Sequence, residues 1–260
     1  AAIVAARYVE KVRINPGNYV TLNSITKTDY TEDEYNAELE KIKDNILPLL
    51  EECKTHNTAI RIGVNHGSLS QRIVSKYGDT PLGMVMSMIE FLEICKSAEF
   101  TNVVCSIKAS NTRIMVYATR LLANKMNELS LNFPIHLGVT EAGAGEDGRI
   151  KSAVGIGSLL LDGIGDTIRV SLTEAPEKEI PVAKIMVDYR NQIFASNLHF
   201  DSCVDVRKNQ FAYSRIVSSP IGEIGGDNVP IVFSNQQQTK ADYVLQLDSI
   251  LKHPKSQESY

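Results

Sequence analysis

Four cations fall within short apolar runs of this chain: Arg13, Arg61, Lys108 and Arg169. Strands covered on both faces are almost wholly apolar, and an unpaired buried charge is expensive. One such cation is explained by a neighbouring carboxylate. Four such cations, each in a separate run, point instead to strands that converge on a shared anion. Arginine suits that task because its planar fork donates two parallel hydrogen bonds to a phosphate. Polar groups and turn residues follow each cation. NPGN comes after Arg13, and GVNHGSLS, with Asn65, comes after Arg61. Ser110 and Asn111 follow Lys108, where they read as the cap of a helix whose N-terminus also attracts anions. Ser171 and Thr173 lie just past Arg169. Glu141 has the opposite sign and opens the glycine-rich turn EAGAGEDG. It is either a salt-bridge partner for Lys108 or Arg169, or a group that moves a proton at a substrate. Glu146 and Asp147 read as solvated acids of a helix N-terminus. His66 reads as a loop bystander and His136 as a core or rim residue.

The elements that must position these groups alternate. Strand-like runs occur at Val9–Ile14, Ala59–Val64, Val103–Lys108, Ile135–Thr140 and Thr167–Leu172. Helical patterns occupy 1–8, 32–54, 81–98, 112–129, 148–162 and 175–190. Pro81 suits a first helical position, and Thr31 to Glu34 reads as an ordinary helix start. Alternation of this kind gives right-handed βαβ units and a parallel sheet. NPGN after the first run is not the glycine fingerprint of an open nucleotide-binding sheet. Polar elaboration after every strand fits a (β/α)8 barrel better. The fold class expected is therefore α/β, a partial barrel comprising about its last five βα units, with roughly three units preceding residue 1. Beyond residue 190 the pattern changes. Weaker strands at Arg215–Val217 and Ile231–Phe233 and a helix-like piece at Lys240–Lys252 read as the start of a second domain.

Composition narrows the partners. The chain has 260 residues, 43% hydrophobic, with a formal net charge of −4. Bulk electrostatics makes no case for nucleic acid or an anionic membrane, so anion binding must come from local placement. No apolar run approaches the ~18 residues that span a bilayer. Cys53, Cys95, Cys105 and Cys203 form no CxxC pair and have no zinc-ligand spacing to histidine. They read as reduced, buried thiols in a reducing compartment. Met84, Met86 and Met88 read as helix packing.

The segments VEKVRINPGN, AIRIGVNHGSLS, SIKASN and LGVTEAGAGEDGRIKSAVGIGSLLLDGIGDTIRVSLTE together resemble the 4-hydroxy-3-methylbut-2-enyl diphosphate synthase family. The resemblance covers about residues 5–190. It implies a barrel that binds 2-C-methyl-D-erythritol 2,4-cyclodiphosphate and opens it reductively on the non-mevalonate route to isoprenoids. By motif, Arg13, Arg61, Asn65, Lys108, Arg169 and Ser171 match substrate contacts, and Glu141 matches the acid near the substrate hydroxyls. The resemblance also implies a 4Fe–4S cluster held by three cysteines and a glutamate, a flavodoxin or ferredoxin donor, and a homodimer. The compartment implied is the bacterial cytoplasm or the plastid stroma. No CPxC-type run is present, so the cluster ligands are expected outside this chain, and the chain alone is expected to be inactive. Residues 1–190 are then the C-terminal part of the barrel and 191–260 the beginning of an insert domain of the family's large form. The alternatives from the residues alone are another phosphate-binding barrel enzyme, of pterin or sugar-phosphate type, and a non-catalytic barrel module.

Overall fold

A computed structural model describes residues 1–19, 27–196, 217–234, 242–246 and 249–252. Cys203, Arg215, Ile216 and the Gln236–Gln238 run lie outside the described residues. The chain divides into two compact units, Ala1–Asp201 and Ser202–Tyr260.

The first unit alternates strands and helices. A short helix α1 (Ala2–Ala5) leads into β1 (Lys11–Ile14), followed by α2 (Glu32–His56) and β2 (Ala59–Asn65). Two helices, α3 (Gln71–Tyr77) and α4 (Pro81–Ser97), precede β3 (Val103–Lys108). Then come α5 (Thr112–Glu128), β4 (His136–Leu137), α6 (Gly145–Ser152), α7 (Ser158–Leu161), β5 (Thr167–Ile168) and α8 (Glu179–Ala195). A π-helical turn, Ala153–Gly157, joins α6 to α7.

The starts of these helices follow their sequence. Thr31 and Glu34 form a reciprocal capping box on α2. The Thr80 side chain caps α4 with Pro81 in its first turn. Asn111 accepts from the Arg113 and Ile114 amides at 2.9 and 3.3 Å, opening α5.

β1, β2 and β3 form a parallel sheet in that order, and β4 pairs in parallel with β5. A parallel bridge between Cys105 and Ile135 joins the two, so the five strands stand side by side in chain order. One face of this arc is apolar. Val12, Ile14, Ile60, Ile62, Val64, Val103, Cys105, Ile107, Leu137 and Val170 are buried in a single core with Leu49, Leu50, Met84, Met88, Met115 and Leu122 of the helices. Each fully buried aliphatic side chain contributes about 1.5–3 kcal/mol, so the helical layer holds the strands firmly.

Several expectations need correction. β1 begins at Lys11 rather than Val9. β4 and β5 are two residues each, not six. Gly138 offers no side chain to pack, and beyond Leu137 the regular ladder gives way to single bonds, Thr140 N–H to Ala109 O at 3.2 Å and Arg169 N–H to Leu137 O at 2.9 Å. Arg169 and Ser171 therefore lie just past a strand, not within it. Within 240–252 the described residues are not helical. β7 (Tyr243–Gln246) and β8 (Ser249–Lys252) run antiparallel there, and β6 (Phe233–Ser234) pairs in parallel with β7. In this second unit the Phe233 and Tyr243 rings stack at 5.2 Å.

Candidate functional site

Side chains alternate along a strand, so the face opposite the helices carries Arg13 from β1, then Arg61, Gly63 and Asn65 from β2, and Ser106 and Lys108 from β3. The alternation continues through His136 and Gly138, then Thr167, Arg169 and Ser171. Two glycines confirm the direction. A Cβ on Gly63 would lie 2.7 Å from Arg13 Nε, and one on Gly138 would lie 2.9 Å from Lys108 Nζ. Both cations thus fold across glycines, where a side chain would have to displace them. Arg13 Nη2 donates to Gly63 O at 3.1 Å. In its hydrogen-bonding orientation the Asn65 amide oxygen accepts from the same nitrogen at 3.2 Å.

The electrostatics of this face is one-sided. Burial and the charges of Arg61, Arg169 and Arg13 push the Lys108 ammonium down to about 8. Burial, then Arg13 and Arg169, also lowers the Arg61 guanidinium. These groups therefore sense one another strongly. Among the described residues no carboxylate pairs with Arg13, Arg61 or Lys108. Arg169 differs, since Glu179 Oε2 of α8 lies 3.6 Å from its Nε. Its side chain remains 62% exposed, so it stays free to engage a ligand.

Glu141 does not serve as the salt-bridge partner. Its side chain is exposed, and among the described residues it makes no ion pair. Its backbone φ is +53°, a left-handed conformation that costs a non-glycine residue about 1 kcal/mol or more. Lys151 Nζ donates to its carbonyl at 3.3 Å, holding the turn.

The loops that end the strands are tied to one another. Asn15 accepts from the Gly17 amide at 3.1 Å and donates to Ser68 Oγ at 3.0 Å. A Cβ on Gly17 would sit 1.9 Å from Ser68 O, so only glycine permits that approach. The His66 amide donates to Lys108 O at 3.0 Å. Arg149 grips Glu174 with two hydrogen bonds at 2.5 and 2.9 Å, and the Gly145 amide donates to the same carboxylate at 3.2 Å. The turn carrying Glu141 is thereby clasped to the segment carrying Arg169 and Ser171. Asn15 of NPGN and Ser68 of GVNHGSLS, among the polar groups that follow the cations, are engaged in this scaffolding.

Sequence reasoning missed His136 as a member of the site. Its Nδ1 lies 2.8 Å from Thr167 Oγ1. Burial, then Lys108, Arg61, Lys11 and Arg169, lowers its imidazole to about 4, so it is neutral among the cations. The signal was available, because His136 and Gly138 share the two-residue period that places Lys108 and Arg169.

The described thiols do not fit iron ligation. Cys53, Cys95 and Cys105 are free and buried, and burial pushes them up to about 11, 12 and 12. Among the described residues no three His, Cys, Asp or Glu side chains are grouped to hold a metal ion. Among those residues no helix is long and apolar enough to cross a membrane.

A parallel α/β arc with a cationic inner face defines the class, a barrel-type α/β domain. Residues 1–184 match the family model described as the GcpE TIM-barrel domain, and the chain belongs to that family. The 4-hydroxy-3-methylbut-2-en-1-yl diphosphate synthase (flavodoxin) of Bacteroides fragilis is 54% identical over 246 residues, covering 93% of this chain and 38% of the relative. The synthase (flavodoxin) of Akkermansia muciniphila is 57% identical over 185 residues, 70% of this chain and 32% of the relative. The synthase (ferredoxin) of a Synechococcus strain is 56% identical over 199 residues, 72% of this chain and 49% of the relative. The chain thus spans about a third to a half of the length of these relatives.

Proposed function

We propose that this chain is the substrate-binding portion of a 4-hydroxy-3-methylbut-2-en-1-yl diphosphate synthase, and that its inner face grips 2-C-methyl-D-erythritol 2,4-cyclodiphosphate. The observation that carries the reading is three cations on one face, Arg13, Arg61 and Lys108, without a carboxylate partner among the described residues. Such a face is stable chiefly as a place for a multiply charged anion. The five strands are the last five units of a (β/α)8 barrel in the whole protein, and residues 191–260 begin its insert domain.

Each residue has a distinct task in this reading. Arg13 and Arg61 hold diphosphate oxygens, with Asn65 orienting Arg13. Lys108, held near 8, gains its full charge when the anion arrives. Arg169 and Ser171 close on the diphosphate from the β5 end. Glu141, on its strained turn, delivers or removes a proton at the hydroxyl that leaves as water. The reductive half of the reaction belongs to residues outside this set, in an iron–sulfur enzyme served by flavodoxin or ferredoxin. A homodimer in the bacterial cytoplasm or plastid stroma completes the reading.

Calorimetry of the full-length protein with the cyclodiphosphate tests it. Arg61→Ala should weaken binding at least about 100-fold, since a charge-assisted bidentate contact is worth roughly 3 kcal/mol. Unchanged affinity would remove the cationic face from the site.

A further inference from the structure

Two buried polar atoms on the inner face have no partner among the described residues, Ser106 Oγ and His136 Nε2. Ser106 is 1% exposed, and neither atom has a hydrogen bond to a site residue already assigned a task. The parallel bridge of Cys105 with Ile135 brings Ser106 and His136 level on adjacent strands. Adjacent strands lie about 4.8 Å apart, so their side chains are immediate neighbours on that face. The direction of both is fixed by the glycines beside them. Gly63, level with Ser106, points at the Arg13 guanidinium, and Gly138, two residues past His136, points at Lys108 Nζ.

Leaving a buried hydroxyl and a buried imidazole nitrogen without hydrogen bonds costs about 1–3 kcal/mol each. Phosphate oxygens are drawn to the guanidinium and ammonium groups instead, where charge assists the bond. The imidazole carries no charge there. What suits a neutral pair beside a cationic set is a group that can both donate and accept. A hydroxyl does this whichever imidazole nitrogen bears the proton.

We propose that Ser106 and His136 form a hydroxyl-binding subsite at the floor of the cationic face, seating an alcohol group of the same ligand whose phosphates the cations hold. The inference rests on the diphosphate reading above and adds to it the group that separates a phosphorylated polyol from a bare diphosphate. Thr167 is the positioning residue, since its hydroxyl fixes the imidazole through Nδ1.

The test compares two ligands on the full-length protein, the cyclodiphosphate and inorganic pyrophosphate, which lacks hydroxyl groups. Ser106→Ala and His136→Phe should each weaken the cyclodiphosphate about 10-fold, the value of one ordinary hydrogen bond. Pyrophosphate affinity should stay within about two-fold, and His136→Gln should recover most of the loss. Equal losses for both ligands, or none for the cyclodiphosphate, would overturn the subsite; the latter means that water alone fills it. Ser106→Ala removes a single oxygen, so it remains decisive where the thermal midpoint shows His136→Phe to be misfolded. Arg61→Ala separates the two levels. It should weaken both ligands, and if it weakens neither, the diphosphate reading fails and the subsite falls with it.

Discussion

Lys108 shows how a single residue reports the charge around it. Its ammonium is lowered to about 8 by burial and by three arginines. An anion at the site reverses the arginine contribution, so the bound form has the higher value. Binding must therefore take up a proton, about half a proton per site at pH 8, and affinity must fall as pH rises above 8. Calorimetry in buffers of different ionisation enthalpy reads that uptake. Lys108→Arg, which stays charged, should abolish it. Glu141 makes a second residue-scale case. With φ at +53° it pays for its position in backbone strain that glycine would not feel. Glu141→Gly should raise stability by about 1 kcal/mol, a rise of a few degrees in thermal midpoint. The same change in the full-length enzyme should abolish turnover. That the four cations share one face was legible in the sequence because a charge inside an apolar run is anomalous, and Glu141 stood out by its sign at the end of such a run. His136 was not legible, since a lone histidine at a strand start carries no such anomaly.

The elements were legible where their period was long enough. β2 and β3 run at full length because Ile60, Ile62, Val64, Val103, Cys105 and Ile107 alternate without a break. β4 and β5 were overestimated because apolar continuity says nothing of where a ladder stops. α3 was missed, as seven residues within a glycine- and serine-rich stretch leave little helical pattern. Yet α3 carries the least exposed charge among the described residues. Arg72, 2% exposed, donates to both Glu90 oxygens at 2.7 and 2.6 Å, and Tyr35 donates to the same carboxylate. The Arg72 guanidinium also lies 4.3 Å from the Tyr35 ring. This network pins α3, and with it the loop from Asn65 to Ser70, against α2 and α4. Arg72→Met should cost about 3–5 kcal/mol by leaving Glu90 buried and unpaired. Adding Glu90→Leu should restore much of that loss, because an apolar pair needs no compensation. Urea unfolding of the two variants would show whether the pair acts as a unit.

At the scale of the molecule, sequence pattern indicated a change of character near residue 190 but misread residues 243–246 and 249–252 as helical. Val244, Leu247, Ile250 and Leu251 fall on one helical stripe in the sequence, and only pairing across β7 and β8 decides for strands. Among the described residues, the buried core and the candidate site residues belong to the first unit. Each candidate site residue lies at or before Ser171, α8 ends at Ala195, and the compact unit ends at Asp201. The buried core cluster likewise ends at Met186. Removing residues 202–260 should therefore leave the main thermal transition of the chain within about 2 °C, since a shift of that size corresponds to less than 1 kcal/mol in a domain of this length. The pyrophosphate affinity of the chain should likewise stay within about two-fold, and in both forms it should fall as salt screens the four cations. A truncated chain that unfolds much earlier, or binds much more weakly, would mean that the second unit supports the first in a way that its own short sheet does not announce.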